Sequence, residues 1–466
     1  MRFQLVALLA SSAVMAQSDA GVVMFDASST PWGPGRRSSG EVFHSTATPL
    51  NEGMLRWAWP QFSLGVGAQY FARGELRDGS DFAAASPDLS VGFDQRARLT
   101  VRGSAFERVG VLIELQDVRA WGSEPSTTSL AFNTALHQGF VDLKATSFLD
   151  VRIGRQELSY GEERLIGSLD WAQTARAFDG VFARVTPSSH LTIDGFGMLL
   201  RAGGWLTPTT GGVPFQNSGS YFTGVYARAR FATSGVDGYV LGLLEDPGTP
   251  ATGFRPDNNR LTLGARAFTT LARLTAVAEG AFQTGLAGHA VVQAGAFAAK
   301  ATWAFNAATA PYLTAEVSGA SGDGTPGDSV VSTFHQLFPT GHAHLGFMDL
   351  MAWQNVVAVR GTIGFRPGGA HVWLDVHHFS AWAPEDAWYA ANGSVFVAAD
   401  PLRTDSSRGT EIDLSGTVPV IANLSMAGGV GVFLPEPGAQ TVAGSSVVGK
   451  GSNPAAWGFI SLRAQL

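Results

Sequence analysis

The sequence lacks three features that would place it in other classes of protein. There is no cysteine among its 466 residues, which suits a chain that crosses an oxidising compartment unfolded, where a stray thiol could mispair. Charged residues make up only 15% of the chain, against about 25% in soluble proteins. Beyond the first residues, no apolar run approaches the roughly 18 residues of a membrane-spanning helix. A helical membrane protein is therefore excluded.

A basic excess is also missing, since the formal net charge is -7. Nucleic-acid binders carry a basic surplus that neutralises phosphates. The sequence therefore predicts no nucleic-acid partner.

The N-terminus has the pattern of an export signal. Arg2 precedes an apolar run from Leu5 to Ala10, and small residues end at Ala16. This pattern predicts a secretory signal peptide over residues 1–16, with cleavage after Ala16. Residues 17–54 are polar and rich in Gly, Ser, Thr and Pro, which predicts a loose lead segment or an early loop. From 55 to 466 the residue composition is uniform, and a single domain is expected there.

Alternation of apolar and polar residues dominates this domain. Phe62, Leu64 and Val66 alternate with small or polar residues, and the pattern recurs in 93–102, 260–266, 273–279, 357–365, 411–414 and 460–466. Such alternation predicts strands with two different environments. Soluble sandwiches alternate as well, but here the apolar face carries scarcely a charge. The predicted fold is all-β, a single-chain transmembrane antiparallel β-barrel of about 18 strands (16–18), because lipid requires a sheet without open edges.

Turn signals divide the strands. Pro187–Ser189, Arg366–Gly369 and Pro435–Gly438 are predicted to be short periplasmic turns. The longer stretches Gly203–Ser220 and Ser318–Ser329 are predicted to be external loops.

The polar face of the predicted strands is richer in basic than in acidic residues, opposite in sign to the whole chain. Arg96, Arg98 and Arg102 share one strand with only Asp94 nearby, and Arg360 lies on another. A lumen lined in this way favours anions, and these arginines are the first candidates for substrate contact. The alternative is that arginines and acids pair across the wall and rigidify a wide barrel.

The densest charged motif spans residues 152–180. Mixed charges cannot face lipid at bilayer depth, so the motif is predicted to point inward or to fold into the lumen as a constriction. The candidate pore-lining residues in it are Arg152, Arg155, Arg164, Asp170, Arg176 and Asp179.

This motif resembles the alginate export domain family of outer-membrane barrels in its broad form. The resemblance lies in Gly154–Leu158, Tyr160–Gly161, Arg164–Gly167, Asp170–Trp171, Arg176 and Phe178–Gly180, and in Leu115–Trp121 upstream. A second block, Gln336–His342 with Gly346–Asp349, follows in the same order. The resemblance implies an 18-stranded barrel with an arginine-rich constriction that moves an anionic uronic-acid polysaccharide outward without its own energy source.

Several histidines are candidate metal ligands. His371, Asp375, His377 and His378 lie close together in sequence, and Asp375 and His377 share a strand face. Without a thiolate or a full ligand set at tight spacing, hydrogen-bonded histidines are expected instead, with no metal and no cofactor. A barrel-type hydrolase is the rival class, and Asp375, His377 and Ser380 are the only catalytic set that can be constructed for it.

The sequence therefore predicts a monomeric, non-enzymatic channel in the bacterial outer membrane. Its expected partners are outer-membrane lipid and an anionic polysaccharide or small anions, and a periplasmic export machinery could supply the polymer. The alternative within the same fold is a general porin for small organic anions or sugars.

Overall fold

The structure, a computed structural model, describes residues 55–82, 89–122, 134–201, 220–245 and 258–465. The predicted signal peptide and lead segment lie outside the described residues, as does most of the predicted loop Gly203–Ser220. Among the described residues, no helix has the length and apolarity needed to cross a membrane.

Strands and tight turns account for the regular structure. In chain order the strands are β1 (Leu55–Ala58), β2 (Phe62–Asp78), β3 (Ser90–Ala105), β4 (Val109–Ala120), β5 (Thr134–Lys144), β6 (Leu149–Gln156), β7 (Phe178–Ser188), β8 (Leu191–Arg201), β9 (Ser220–Phe231), β10 (Ser234–Glu245), β11 (Asn258–Leu271), β12 (Leu274–Ala287), β13 (Ala290–Ala304), β14 (Tyr312–Ala320), β15 (Val330–Val331), β16 (Val356–Phe365), β17 (His371–Ser380), β18 (Trp388–Tyr389), β19 (Val395–Val397), β20 (Ser407–Ile421), β21 (Leu424–Pro435) and β22 (Ala455–Gln465). Three single-turn 3-10 helices span Gly341–Ala343, Pro367–Gly369 and Pro437–Ala439.

Eighteen long strands form a closed antiparallel barrel. Each long strand pairs with the next one, and the last strand, β22, pairs with β2, from Gln69 opposite Gln465 to Asp78 opposite Ala456. The four short strands β1, β15, β18 and β19 are additions to this wall or to its connections. The predicted fold class and strand number are confirmed.

The two ends of the barrel differ in the length of their connections. At one end the turns are short, such as 232–233 and 422–423, and we assign this end to the periplasm. Most connections at the other end are long. Pro435–Gly438 lies at the long-connection end, so the prediction of a periplasmic turn there was wrong. A turn-forming sequence specifies a change of direction and carries no information about which end of the barrel it occupies.

The faces of the wall follow the alternation. Val181, Leu414 and Ile460 point outward and are 46–57% exposed, which is the surface that lipid covers. Phe182, Phe222 and other inward side chains are almost fully buried. They are buried because two long connections fold back into the barrel and pack against them.

Candidate functional site: a lumen narrowed by two inner segments

Two connections fill the middle of the barrel. The first inner segment comprises residues 157–177, between β6 and β7, and the second comprises residues 321–355, between β14 and β16. The stretch Ser318–Ser329 was predicted to be an external loop, but residues 318–320 complete β14 and the rest begins this second segment. The prediction that the charged motif around 152–180 folds inward as a constriction agrees with the position of the first segment.

The two inner segments are joined to each other by backbone hydrogen bonds. The Gly167 amide donates to the Phe338 carbonyl at 2.8 Å, and the Phe338 amide donates to the Leu165 carbonyl at 2.9 Å. Phe338 also packs edge-on against Phe178 and Phe222 of the wall, with ring centroids 5.3 and 4.8 Å apart. The segments therefore form one layer that is anchored to the wall.

Arg176 strengthens this junction. Its Nη1 donates to the carbonyls of Gly167, Phe338 and Pro339, so one guanidinium reaches both segments. Burial lowers the pKa of Arg176 to about 10, and the group therefore stays charged at neutral pH. Arg176 was predicted to line the pore, but in the structure its guanidinium joins the two inner segments.

Asp170 of the first inner segment lies among three guanidinium groups of the wall. Its carboxylate is 3.0 Å from Arg96 Nη2, 3.2 Å from Arg98 Nη1 and 3.4 Å from Arg463 Nη1. Arg96 is fully buried and also donates from Nη1 to the carbonyls of Asp170, Ala172 and Gln173. Arg96 therefore holds the segment in place and is not available to a solute.

A second charged node lies at Glu316 of β14. Arg164 of the first segment and Arg360 of β16 both pair with it, the latter at 2.8 Å, and Arg360 also donates to the Ala343 carbonyl at 3.1 Å. Beside it, Glu162 pairs with Lys300 of β13. Burial raises the pKa of Glu162, but Lys300 and Arg164 more than offset this and lower it to about 2.

Two wall carboxylates repeat the arrangement. Asp194 bridges Arg184 and Arg228, at 2.6 and 2.8 Å. Asp237 bridges Arg230 and Arg266, at 2.5 and 3.2 Å. Together with Asp170 and Glu316, these form what we call the guanidinium ladder: four carboxylates, each shared by two or three arginines. The ladder thus holds nine arginines around four carboxylates, and Glu114, Glu157 and Glu162 also lie near it, each 3.9 Å from Arg98 or Arg164.

The opposite polarity occurs on β20. Glu411 accepts the Met348 amide at 2.9 Å and Asp413 accepts the Phe347 amide at 3.5 Å, and both carboxylates are fully buried. We call this pair the carboxylate anchor. The alternation placed both residues on the polar face, but no sequence signal indicated that they hold the second inner segment, because their partners lie more than 60 residues away.

The remaining predicted pore residues fall on both faces of the wall. Arg152 pairs with Asp142 at 2.6 Å and lies 3.8 Å from the centre of the Phe140 ring. Arg102 shares the inward face of β3 with Arg98, nearer to the periplasmic end.

Arg155 and Asp179 require a correction. They pair with each other at 2.7 Å, and in the strand register they share a face with Ile153 and Val181, which point outward. The prediction that they line the pore was wrong. Arg152 and Arg155 are an odd number of residues apart on one strand, so they project to opposite faces. The outward pair is tolerated because it lies at the end of β6 and the beginning of β7.

The histidines and their neighbours do not assemble as a catalytic or metal set. On β17, Asp375 and His377 are buried on the inward face, whereas His378 is half exposed on the outward face. Ser380 shares the outward face with His378. A serine on the opposite face from His377 cannot donate its proton to that ring, so the constructed catalytic set is not formed.

One other group, Glu114, His137 and Glu157, has ligand atoms within 4.8 Å of one another. The Arg98 guanidinium is 3.1 Å from His137 Nε2 and 3.9 Å from a carboxylate oxygen of each glutamate. A positive charge thus already lies where a cation would bind, so these residues do not fit a metal ion.

Below the first inner segment, a cavity of about 410 Å³ opens at the periplasmic end. Trp171 of the segment and Phe71 and Arg463 of the wall line it. Arg463 lies over the Phe71 ring at 4.8 Å and reaches Asp170 above. Arg463 is therefore the charged residue that lines this cavity, and its side chain is 13% exposed.

Comparisons with known proteins agree with this architecture. The sequence profile of the family described as "Alginate export" matches residues 62–446, which confirms the predicted resemblance. No curated protein sequence matches the chain.

Three solved structures from Pseudomonas aeruginosa share the fold. OccK11 (OpdR) superposes with a TM-score of 0.52 at 12% identity, covering 90% of this chain and 98% of that one. OccD3 (OpdP) has a TM-score of 0.54 at 11% identity, covering 86% and 91%. OpdK, solved with vanillate, has a TM-score of 0.51 at 12% identity, covering 86% and 98%. At such identities the likeness concerns the fold alone.

Proposed function

The chain belongs to the alginate export family of outer-membrane barrels, and from this premise we propose that it is a passive channel for anionic solutes that exports a carboxylated, alginate-like polysaccharide. The outer membrane and the channel architecture follow from the family and the closed barrel. The solute is the part that we propose.

The guanidinium ladder is the observation that supports an anionic solute. Its own members are nine arginines and four carboxylates, so the ladder presents more guanidinium groups than carboxylates to the narrowed lumen. Charge of one sign in such a passage lowers the electrostatic cost of moving the opposite sign through it.

The periplasmic cavity supports a sugar polymer. Arg463 presents a guanidinium to this cavity for a carboxylate, and the buried rings of Trp171 and Phe71 form an apolar wall beside it. Bidentate geometry makes guanidinium groups the preferred partners of carboxylates. The ladder and the cavity together suit a polyuronate that enters from the periplasm.

The second candidate is a general porin for small organic anions. The shared fold favours it to the extent that OpdK, a barrel of the same fold, was solved with vanillate, an aromatic carboxylate. A channel of this kind would pass small carboxylates without being blocked by longer uronate chains.

Planar-bilayer recordings test the proposal. Under a salt gradient we expect a reversal potential of the sign for anion selectivity, and we expect oligouronates to block the current at concentrations at which neutral oligosaccharides of equal length do not. Arg102→Ser with Arg463→Ser should weaken the oligouronate block by about tenfold, which corresponds to about 1.4 kcal/mol.

The matched control is Arg119→Gln. Arg119 pairs with Asp117 at 2.8 Å on the outward face of β4, so its loss should leave the block unchanged. Absence of anion selectivity in the wild-type channel would contradict the proposal. Equal passage of oligouronates and small carboxylates would favour the general porin.

A further inference from the structure

A second cavity lies on the external side of the inner segments. Its volume is about 460 Å³, within the range of about 300–1,000 Å³ of small-molecule pockets. It lies between the beginning of β11, the second inner segment and the connection 381–406. Its polar lining includes Arg260, Thr333, His335, Gln354, Asp386 and Tyr389. None of these residues belongs to the guanidinium ladder or the carboxylate anchor.

Arg260 is the charged group with unused hydrogen-bonding capacity in this cavity. Its side chain is more than nine-tenths buried, and its Nε donates to Asn258 Oδ1 at 2.7 Å. Asn258 in turn donates to Glu245 at 2.7 Å, which fixes the orientation of the guanidinium. Among the described residues, Arg260 forms no salt bridge and its Nη1 has no hydrogen-bond partner. Buried donors of this kind normally have a partner.

His335 adds a second donor. Its Nδ1 accepts the Leu337 amide at 3.1 Å, so a neutral ring carries its proton on Nε2. Burial and the nearby Arg260 charge lower the pKa of His335 to about 4, which keeps the ring neutral at physiological pH.

Two carboxylates, Asp323 and Asp386, line the cavity. Asp323 accepts the Thr325 amide at 3.0 Å. One oxygen of Asp386 accepts from the Asp323 amide at 2.9 Å and the Thr333 hydroxyl at 2.6 Å. The other accepts from the Ala387 amide at 2.7 Å and the Tyr389 hydroxyl at 3.1 Å. Both oxygens of Asp386 are therefore hydrogen-bonded within the wall of the cavity, whereas the donors of Arg260 and His335 remain for a ligand.

We propose that this cavity is an external binding site for one carboxylate-bearing sugar unit, with the carboxylate facing Arg260 and the Tyr389 ring beside the sugar. The inference rests on the proposed function and assigns it a specific site on the side where a polymer would leave. It predicts that the end of a uronate chain is held there after passing the constriction.

The test is side-specific block by D-glucuronate in planar bilayers, with the mature protein. Glucuronate added to the external side should reduce the current of the wild-type channel, and D-glucose should not. Arg260→Gln should weaken this block by about tenfold or more, because it removes the charged donor that faces the carboxylate. His335→Gln should weaken it by a smaller factor, and Arg119→Gln should leave it unchanged.

Heat-dependent mobility in detergent gels shows whether each variant is folded, and His335→Gln keeps the inference testable if Arg260→Gln does not fold. Block that is equal for glucose and glucuronate, or that persists undiminished in both variants, would overturn the inference. The reversal potential is measured in the same channels. Anion selectivity without external block would overturn this site alone, whereas loss of anion selectivity in the wild type would overturn the proposed function.

Discussion

Two groups of wall strands, separated by β21 and β22, bind the backbone of the inner segments through opposite hydrogen-bonding roles. On β2 and β3, Arg73 and Arg96 donate to backbone carbonyls of the first segment, including that of Trp171 at 2.8 Å. On β20, Glu411 and Asp413 accept backbone amides of the second segment. Strands β2 and β3 supply donors, including one from Arg77 to the Met348 carbonyl of the second segment at 2.8 Å, and β20 supplies acceptors.

This difference shows what non-regular backbone inside a barrel requires. A segment without a sheet partner leaves carbonyls and amides unpaired, and leaving them so in a dry lumen is costly. Charged wall residues satisfy them over a longer reach than a backbone group could. Many charges in this lumen are therefore structural, and the alternative prediction that arginines and acids rigidify the wall describes much of what the structure contains.

The largest effect is expected from Arg96→Met, which removes the main arginine contact between the wall and the first inner segment. The change removes donors to three carbonyls and leaves Asp170 with fewer cations. Removing one partner of a buried pair costs about 3–5 kcal/mol. Hydrogen exchange measured by mass spectrometry should rise in residues 169–177 and stay unchanged in 345–350, and the channel conductance should increase.

The control for this variant is Arg119→Met, at the partly exposed outward pair with Asp117. It should change neither exchange nor conductance. If Arg96→Met leaves the exchange of residues 169–177 at the wild-type rate, Arg96 does not anchor the segment.

A smaller effect is expected from acidification, which tests the contact between the two segments. His344 Nε2 donates to the Glu162 carbonyl at 2.7 Å, and burial, followed by the Arg164 charge, lowers the pKa of His344 to about 3. An unfolded histidine has a pKa of about 6.5. The released state therefore binds the proton first, and the stability of the contact is complete above pH 6.5 and falls between pH 6.5 and 3, by at most about 1.4 kcal/mol per pH unit.

Current fluctuations should thus become more frequent from pH 7.5 to pH 5, where Glu162, with a pKa of about 2, is still ionised. His344→Gln can keep a donor to the carbonyl and should remove most of this pH dependence. An unchanged pH profile in that variant would assign the effect to another group.

The smallest effect is expected from Glu411→Gln, which tests how the carboxylate anchor holds the second inner segment. The amide oxygen can still accept from Met348, so the hydrogen bond is kept and the expected loss is at most about 1 kcal/mol. Exchange of the Met348 amide should rise modestly, and exchange in 169–177 should not change. Glu411→Ala should have a larger effect, and equal effects of the two variants would show that the acceptor oxygen is not what holds Met348.

The barrel could be predicted from the sequence because its cause is local. Lipid on one side and water on the other act on every second residue, so the alternation in 62–73 or 357–365 directly reports two faces. Lengths of strands and connections then limited the number of strands to 16–18. The charged motif at 152–180 also showed its inward position, because such charges cannot face lipid along the middle of a strand.

The roles of individual charges could not be predicted in the same way. Arg96 and Arg155 both follow the alternating pattern, yet Arg96 is a buried anchor whereas Arg155 lies in an outward ion pair. Arg176 contacts carbonyls 162 and 163 residues away. No pattern in the sequence distinguishes Arg260 from the other arginines of the polar face. Pairing over such distances depends on how the closed wall and the inner segments meet.

The sequence by itself thus determined the two-faced sheet, its closure in a membrane and the family. Only the tertiary structure decided which guanidinium groups donate all their hydrogen bonds to carbonyls and carboxylates of the protein, and which keep donors for a solute. The physical reason is that solvent contrast acts residue by residue along a strand, whereas hydrogen-bond satisfaction inside the lumen is settled between segments that meet only when the barrel has closed.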